Sequence, residues 1–241
     1  MIDCPFVPFA KRIIIFAGAY GSGKTEVAVN YAIHLAEISA DPISIIDLDI
    51  VNPYFRSREA AAEMLLYGIR AIVPTGEHCH ADLPIIVPQI RASIENAGEG
   101  RLVIDVGGDD LGARVLGSLS DALERADYEF LMVLNANRPF TATVEGSLKM
   151  MRAIEGSSRM KFTGIVSNTH LIGETTGQTI IDGVKLSRQV AEAANIPLVF
   201  AAGMDAALGE IADEMLTVPK FSLSRRMLKP WEIRKDRVRG L

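Results

Sequence analysis

The segment Gly18-Ala19-Tyr20-Gly21-Ser22-Gly23-Lys24-Thr25 matches the pattern G-x-x-x-x-G-K-T at every fixed position. Its flanks restrict the fold more than any other feature of the chain. Before it, Arg12-Ile13-Ile14-Ile15-Phe16-Ala17 contains an unbroken apolar run rich in β-branched residues, the form of a strand buried on both faces. After it, Val27, Ala28, Tyr31, Ala32 and Leu35 recur at helical spacing. Strand, glycine loop and helix in that order turn backbone N–H groups and a helix N-terminus toward an anion.

The rest of the chain repeats the alternation. Strands are predicted at 42–47, 69–73, 101–106, 130–134, 162–166 and 197–200. Helices are predicted over 59–66, from Pro84 or Pro88 to Asn96, and over 111–125, 141–154, 179–194 and 206–215. Such alternation implies an α/β fold, a mainly parallel sheet with helices on both faces and right-handed crossovers. With no internal repeat or low-complexity linker, residues 1–219 read as one nucleotide-binding domain. From Lys220 the character changes. Arg225, Arg226, Lys229, Arg234, Lys235, Arg237 and Arg239 make residues 220–241 a basic tail. Its Phe221, Leu223, Met227, Leu228 and Trp231 suit either packing on the domain or an anionic surface, and Pro230 argues against a long membrane-lying helix.

Composition narrows the setting. A length of 241 residues, with 49% apolar and 23% charged residues, suits a globular chain with a substantial core. A net charge of −5 argues against a general nucleic-acid binder. Cys4 and Cys79 are far apart and in no ligand spacing, which fits a reducing compartment. The N-terminus lacks a basic segment followed by an apolar core, and no apolar run is long enough to span a bilayer. A cytoplasmic location is the expectation.

The glycine loop assigns roles residue by residue. Residues Gly18 to Thr25 cradle the phosphates of a nucleotide, Lys24 brings a positive charge to the β- and γ-phosphates, and the Thr25 hydroxyl is a ligand for Mg²⁺. Metal binding needs carboxylates as well. Asp105 ends the apolar run Leu102-Val103-Ile104 and is the candidate to hold a metal-bound water, with Gly107 and Gly108 letting the backbone approach a γ-phosphate. Asp109 or Asp110 reads as a helix cap. In Asp47-Leu48-Asp49, strand alternation puts both acids on one side of the chain, one near the metal and one able to orient an attacking water.

These residues together resemble the MinD/ParA/CobQ-CobB group of P-loop proteins, of SIMIBI type. The resemblance lies in Gly18–Thr25, in Ile45-Ile46-Asp47-Leu48-Asp49 and in Val103-Ile104-Asp105-Val106-Gly107-Gly108, all in the first half of the chain. It implies that Asp47 lies near the metal and that Asp49 aligns the hydrolytic water, joining Lys24 in catalysis. It does not extend to the second lysine that MinD and ParA proteins carry after the first glycine and use across a dimer, because that place is Ala19, followed by Tyr20. Arg56 or Arg58, after Asn52-Pro53-Tyr54-Phe55, is a substitute source of charge, or a surface residue.

For the base, the segment Asn168-Thr169-His170-Leu171 stands where related GTPases carry Asn/Thr-Lys-x-Asp. Leu171 replaces the aspartate that would pair with guanine, whereas Asn168 can donate to and accept from an adenine edge. The resemblance puts the segment Ala201–Asp205 on the other side of the ring. ATP with Mg²⁺ is therefore expected. Glu77-His78-Cys79-His80-Ala81-Asp82 lacks the spacing of a zinc site and reads as a substrate or partner contact. Gly173-Glu174-Thr175-Thr176-Gly177 reads as a threonine-capped helix entry. The leading expectation is a slow ATPase that switches a protein partner, with homodimerisation compatible. The alternative is a small-molecule kinase or ATP-dependent ligase of the dethiobiotin-synthetase or cobyrinate-amidase type, and a third reading is a protein that holds ATP without hydrolysing it.

Overall fold

A computed structural model of the protein describes residues 6, 8–48, 63–72, 83–96, 100–108 and 110–226. In chain order, β1 (Ile13–Ala17), α1 (Lys24–Ile38), β2 (Ile43–Asp47) and β3 (Arg70–Ile72) are followed by α2 (Leu83–Glu95) and β4 (Arg101–Asp105). Then come α3 (Asp110–Gly117), α4 (Ser120–Leu123), β5 (Tyr128–Leu134), α5 (Val144–Ser158) and β6 (Gly164–Ser167). The last are α6 (Gly177–Ala194), β7 (Leu198–Met204), α7 (Asp205–Gly209) and β8 (Lys220–Leu223). Eight strands form one sheet in the order β3-β2-β4-β1-β5-β6-β7-β8, and every neighbouring pair is parallel.

β1 shows why its sequence is apolar throughout. It lies between β4 and β5, and all five residues are buried. Ile13, Ile15 and Ala17 pack into the layer that holds Ile90 and Ile94 of α2 and Leu116 of α3. Ile14 and Phe16 pack into the opposite layer with Val27, Tyr31 and Leu35 of α1. Alternate side chains thus feed two cores, and a polar residue at any of the five positions would lose its water on either face. Because β4 and β5 flank β1 while the chain runs outward in both directions, the C-terminal end of β1 opens at the point where the strand order reverses, the usual ligand crevice of an open α/β sheet.

Some boundaries differ from those read in the sequence. The helix predicted over 111–125 is two helices, α3 and α4, separated at Ser118-Leu119. Gly117 packs so tightly on α5 that a Cβ there would lie 2.6 Å from the Ser157 carbonyl oxygen, and the turn that follows buries Leu119 completely. Pro88 sits inside α2 rather than at its start. The 206–215 helix is only α7 plus a 3₁₀ turn at Asp213–Met215. The boundary at Lys220 falls at the first residue of β8, which pairs with β7. Phe221 and Leu223 of this strand are 4% exposed and join the α1-side core, so the sheet extends past residue 219. The glycine/threonine stretch does enter a helix under a threonine cap: Thr176 and Thr179 form a capping box on α6.

Candidate functional site: the glycine loop and its two walls

The glycine loop leaves the end of β1 and turns into α1. Its last glycine, Gly23, precedes the helix at φ 78°, in the left-handed region, and a Cβ there would lie 2.4 Å from Asn168 Nδ2. Only glycine meets both demands. The loop closes on itself through Ser22 N–H donating to the Ala19 carbonyl at 3.0 Å, and Val27 N–H returns to the Gly23 carbonyl at 3.1 Å. Lys24, the first residue of α1, is 6% exposed.

One wall of the site is built on β4 and β2. Thr25 Oγ1 donates to Asp105 Oδ2 at 2.6 Å. Asp105 is the last residue of β4 and Asp47 the last of β2, and the two face each other in register. They are 0% and 2% exposed. The hydroxyl that follows Lys24 is thus bonded to one buried carboxylate, and a second lies in register with it. Beyond them the ladder continues by one step on each side, with Leu48 N–H donating to the Asp105 carbonyl and Val106 N–H to the Phe16 carbonyl. Gly108 lies against the loop, where a Cβ would fall 2.8 Å from Tyr20 N. The set fits a magnesium-nucleotide complex: a glycine loop, a hydroxyl bonded to a buried acid and a second buried acid in register with it, which could hold metal-bound water. Asp49, Asp109, Arg56, Arg58 and the Glu77–Asp82 segment lie outside the described residues. Among the described residues no cluster of three or more His, Cys, Asp or Glu is placed to hold a metal ion.

The other wall is built on β5 and β6 and was largely invisible in the sequence. Asn168 follows β6, is 2% exposed, and donates from Nδ2 to the Ser22 carbonyl at 2.9 Å. Arg138, after β5, donates from Nε to the Gly21 carbonyl at 2.7 Å. The fully buried Asn135 donates more weakly to Gly21 O, at 3.4 Å, and to His170 O at 3.3 Å. Two loop carbonyls are therefore held by side chains that are 114 to 146 residues away in sequence. Asn168, expected to read adenine, spends one of its two amide N–H groups on the loop.

His170 completes this wall. Its Nδ1 accepts from Ile172 N–H at 3.4 Å, which puts the proton on Nε2, and Nε2 is buried with no hydrogen-bond partner among the described residues. Burial, and then the charge of Arg138, push its pKa down to about 4, so the ring is neutral near pH 7. Between the loop and this wall opens a cavity of about 720 Å³. Its phosphate end is lined by Gly21, Gly23, Lys24 and Thr25, and its far end by Gly203, Met204, Leu223 and Arg225. Gly203 and Met204 are the end of β7 rather than a loop, since the strand runs four residues further than its apolar run suggested. Ile172, not Leu171, lines the cavity.

No family model and no curated protein matches the chain. Solved structures do. FtsY from Mycoplasma mycoides superposes with a TM-score of 0.54 and 17% identity, over 84% of this chain and 64% of that one. FtsY from Thermotoga maritima gives 0.55 and 17%, over 86% and 67%. The signal recognition particle receptor FtsY from Elizabethkingia anophelis in complex with GDP gives 0.50 and 13%, over 81% and 58%. The chain thus spans roughly two thirds of the length of these neighbours. At such identities the likeness establishes the fold alone: this chain shares the parallel α/β P-loop fold of the FtsY structures.

Proposed function

We propose that the chain binds Mg-ATP and hydrolyses it slowly, as a cytoplasmic nucleotide switch that controls a protein partner, within the SIMIBI-type class and its MinD/ParA/CobQ-CobB branch. The observation that carries the reading is the Thr25–Asp105 hydrogen bond of 2.6 Å beside Lys24, with Asp47 in register. That constellation has a direct use. The loop N–H groups and Lys24 bind the polyphosphate and hold the γ-phosphorus in place. Thr25, Asp47 and Asp105 hold Mg²⁺ and its waters, and the ion, when bound, neutralises charge on the β- and γ-oxygens. Asp49, two residues past Asp47, keeps its expected role of orienting the attacking water. In hydrolysis the water oxygen bonds to the γ-phosphorus, the bond to the β–γ bridging oxygen breaks, ADP leaves with that electron pair, and the water's proton passes to phosphate or solvent.

Adenine is favoured over guanine by what lines the far end of the cavity. Among the described lining residues the one carboxylate is Glu26, which already accepts from Asn30 Nδ2 and Arg226 N–H. Guanine presents two N–H groups on one edge and would bury them without a strong acceptor, which costs about 1–3 kcal/mol per unpaired donor. Competition between ATP and GTP for a fluorescent nucleotide, with and without Mg²⁺, tests this. Tighter binding of GTP overturns the choice of base while leaving the phosphate site intact. Turnover measured at steady state tests the rest. Slow hydrolysis without an acceptor supports the switch, whereas phosphate transfer or ligation that requires a small acceptor moves the reading to a kinase or ligase.

A further inference from the structure

The phosphate site lacks a lysine at position 19. Ala19 is 1% exposed, and the next residue, Tyr20, points outward with 78% of its surface exposed. A triphosphate nevertheless carries more charge than Lys24 and one divalent ion neutralise. The structure puts a second cation on the opposite side of the loop. We propose that Arg138 contacts the bound polyphosphate from the β5 wall, as the second phosphate-binding cation that position 19 does not supply. The proposal rests on the nucleotide reading of the cavity.

Three features carry it. The first is placement. Arg138 lines the cavity, and its Nε is fixed to the Gly21 carbonyl at 2.7 Å, so the guanidinium sits beside the middle of the glycine loop. The second is rigidity. Arg138 N–H donates to the Asn135 carbonyl at 3.2 Å, and Thr141 returns to the same turn through its N–H to Arg138 O at 2.9 Å and its Oγ1 to Asn135 O at 2.7 Å. Pro139 then starts a 3₁₀ turn, so the backbone that carries the arginine is fixed from both sides. The third is charge. Among the described residues no carboxylate forms an ion pair with Arg138, and Glu26, the acid among the described lining residues, accepts instead from Asn30 Nδ2 and Arg226 N–H. His170 beside it is held neutral, partly by the arginine's own charge. A half-buried guanidinium that shares its cavity with Lys24 and Arg225 is favoured when an anion joins it. An arginine suits the place for a geometric reason as well. Its planar fork can hold a loop carbonyl with Nε and still present both terminal nitrogens to phosphate oxygens, which a lysine ammonium cannot do from one position.

The competing role is a brace that only shapes the loop. Arg138→Gln separates the two, because glutamine can still donate to the Gly21 carbonyl but carries no charge. The expected result is a loss of about tenfold or more in ATP affinity, a smaller loss for ADP, and a shallower dependence of ATP affinity on salt concentration. Arg138→Lys, which keeps the charge, should fall between the wild type and the glutamine variant. Wild-type ATP affinity and salt dependence in Arg138→Gln, or equal losses in the glutamine and lysine variants, overturn the inference. Lys24→Ala in the same titration keeps the two levels apart. If it binds ATP as the wild type does, the nucleotide reading of the cavity fails. If it loses ATP while Arg138→Gln does not, only the role of Arg138 fails.

Discussion

The two walls that flank the glycine loop are built by different rules. The β4/β2 wall is made of strand ends, with Asp47 and Asp105 each closing an apolar strand and meeting across one register step. Its chemistry is therefore written in short motifs, since a residue that ends a parallel strand in this topology has nowhere else to face. The β5/β6 wall is made of side chains that leave their own segments to grip the loop: Asn135, Arg138 and Asn168 all end on Gly21 or Ser22 carbonyls. In the proposed function the first wall supplies the groups that would handle a metal and the γ-phosphate. The second supplies the rigidity that keeps the cradle open before a ligand arrives, and preorganisation of this kind is where binding energy is otherwise lost.

Mutations should separate the walls by the kind of damage they do. The largest effect is expected from Lys24→Ala, which belongs to the cradle itself and removes its main cation. Nucleotide affinity should fall on the order of 100-fold in a fluorescence titration, with little change in melting temperature. Asp105→Asn tests the first wall. Without the carboxylate that accepts from Thr25, hydrolysis should drop on the order of 100-fold and Mg²⁺ should no longer strengthen binding, while metal-free nucleotide still binds. A variant that keeps the Mg²⁺ response would remove Asp105 from the metal site.

Asn168→Ala tests the second wall, and its damage should appear in stability. The Ser22 carbonyl would lose its donor at a place sealed from water, costing about 1–3 kcal/mol in chemical denaturation and only a few-fold in affinity. A large loss of affinity with unchanged stability would instead make Asn168 chiefly a base contact. His170 gives a pH signature of the same wall. Its folded pKa is depressed to about 4 from 6.5, so between these values the unfolded chain binds more protons than the folded one. Stability from this group is full above about pH 6.5 and is lost as pH falls toward about 4. The slope of melting temperature against pH in that window should flatten in His170→Gln, and an unchanged slope would exclude the ring as its source.

The smallest effect is expected away from both walls. Arg226 pairs with Glu63 at 2.8 Å and lies over the Tyr67 ring at 5.4 Å, with both charged side chains partly exposed. Glu63→Gln should cost about 0.5–1 kcal/mol or less, read by denaturation in low salt. A bigger loss would show that the segment after β8 contributes more to the fold than its contacts with Glu26, Asn30 and Glu63 suggest.

The same contrast explains how much could be read in advance. The alternation of apolar runs was legible because strands buried on both faces must be apolar at every residue, as β1 is. Lys24, Thr25, Asp47 and Asp105 were legible because loop and strand-end chemistry is local. β8 was missed because Lys220-Phe221-Ser222-Leu223 alternates polar and apolar among basic neighbours, the pattern of an edge strand with one covered face. Arg138 was missed because nothing in Asn135-Ala136-Asn137-Arg138-Pro139 shows that its partner is a carbonyl 117 residues earlier.

The amino-acid order alone determined a parallel α/β sheet, a glycine loop at the end of its first strand, and two carboxylates at neighbouring strand ends. Each follows from interactions within a few residues or from the periodicity of burial. Only the tertiary structure decided that β5 and β6 lie on the far side of β1, and hence which side chains hold the loop open and where a second cation stands. Pairing between strands distant in sequence is selected by the packing of the whole sheet, and no local segment carries that information.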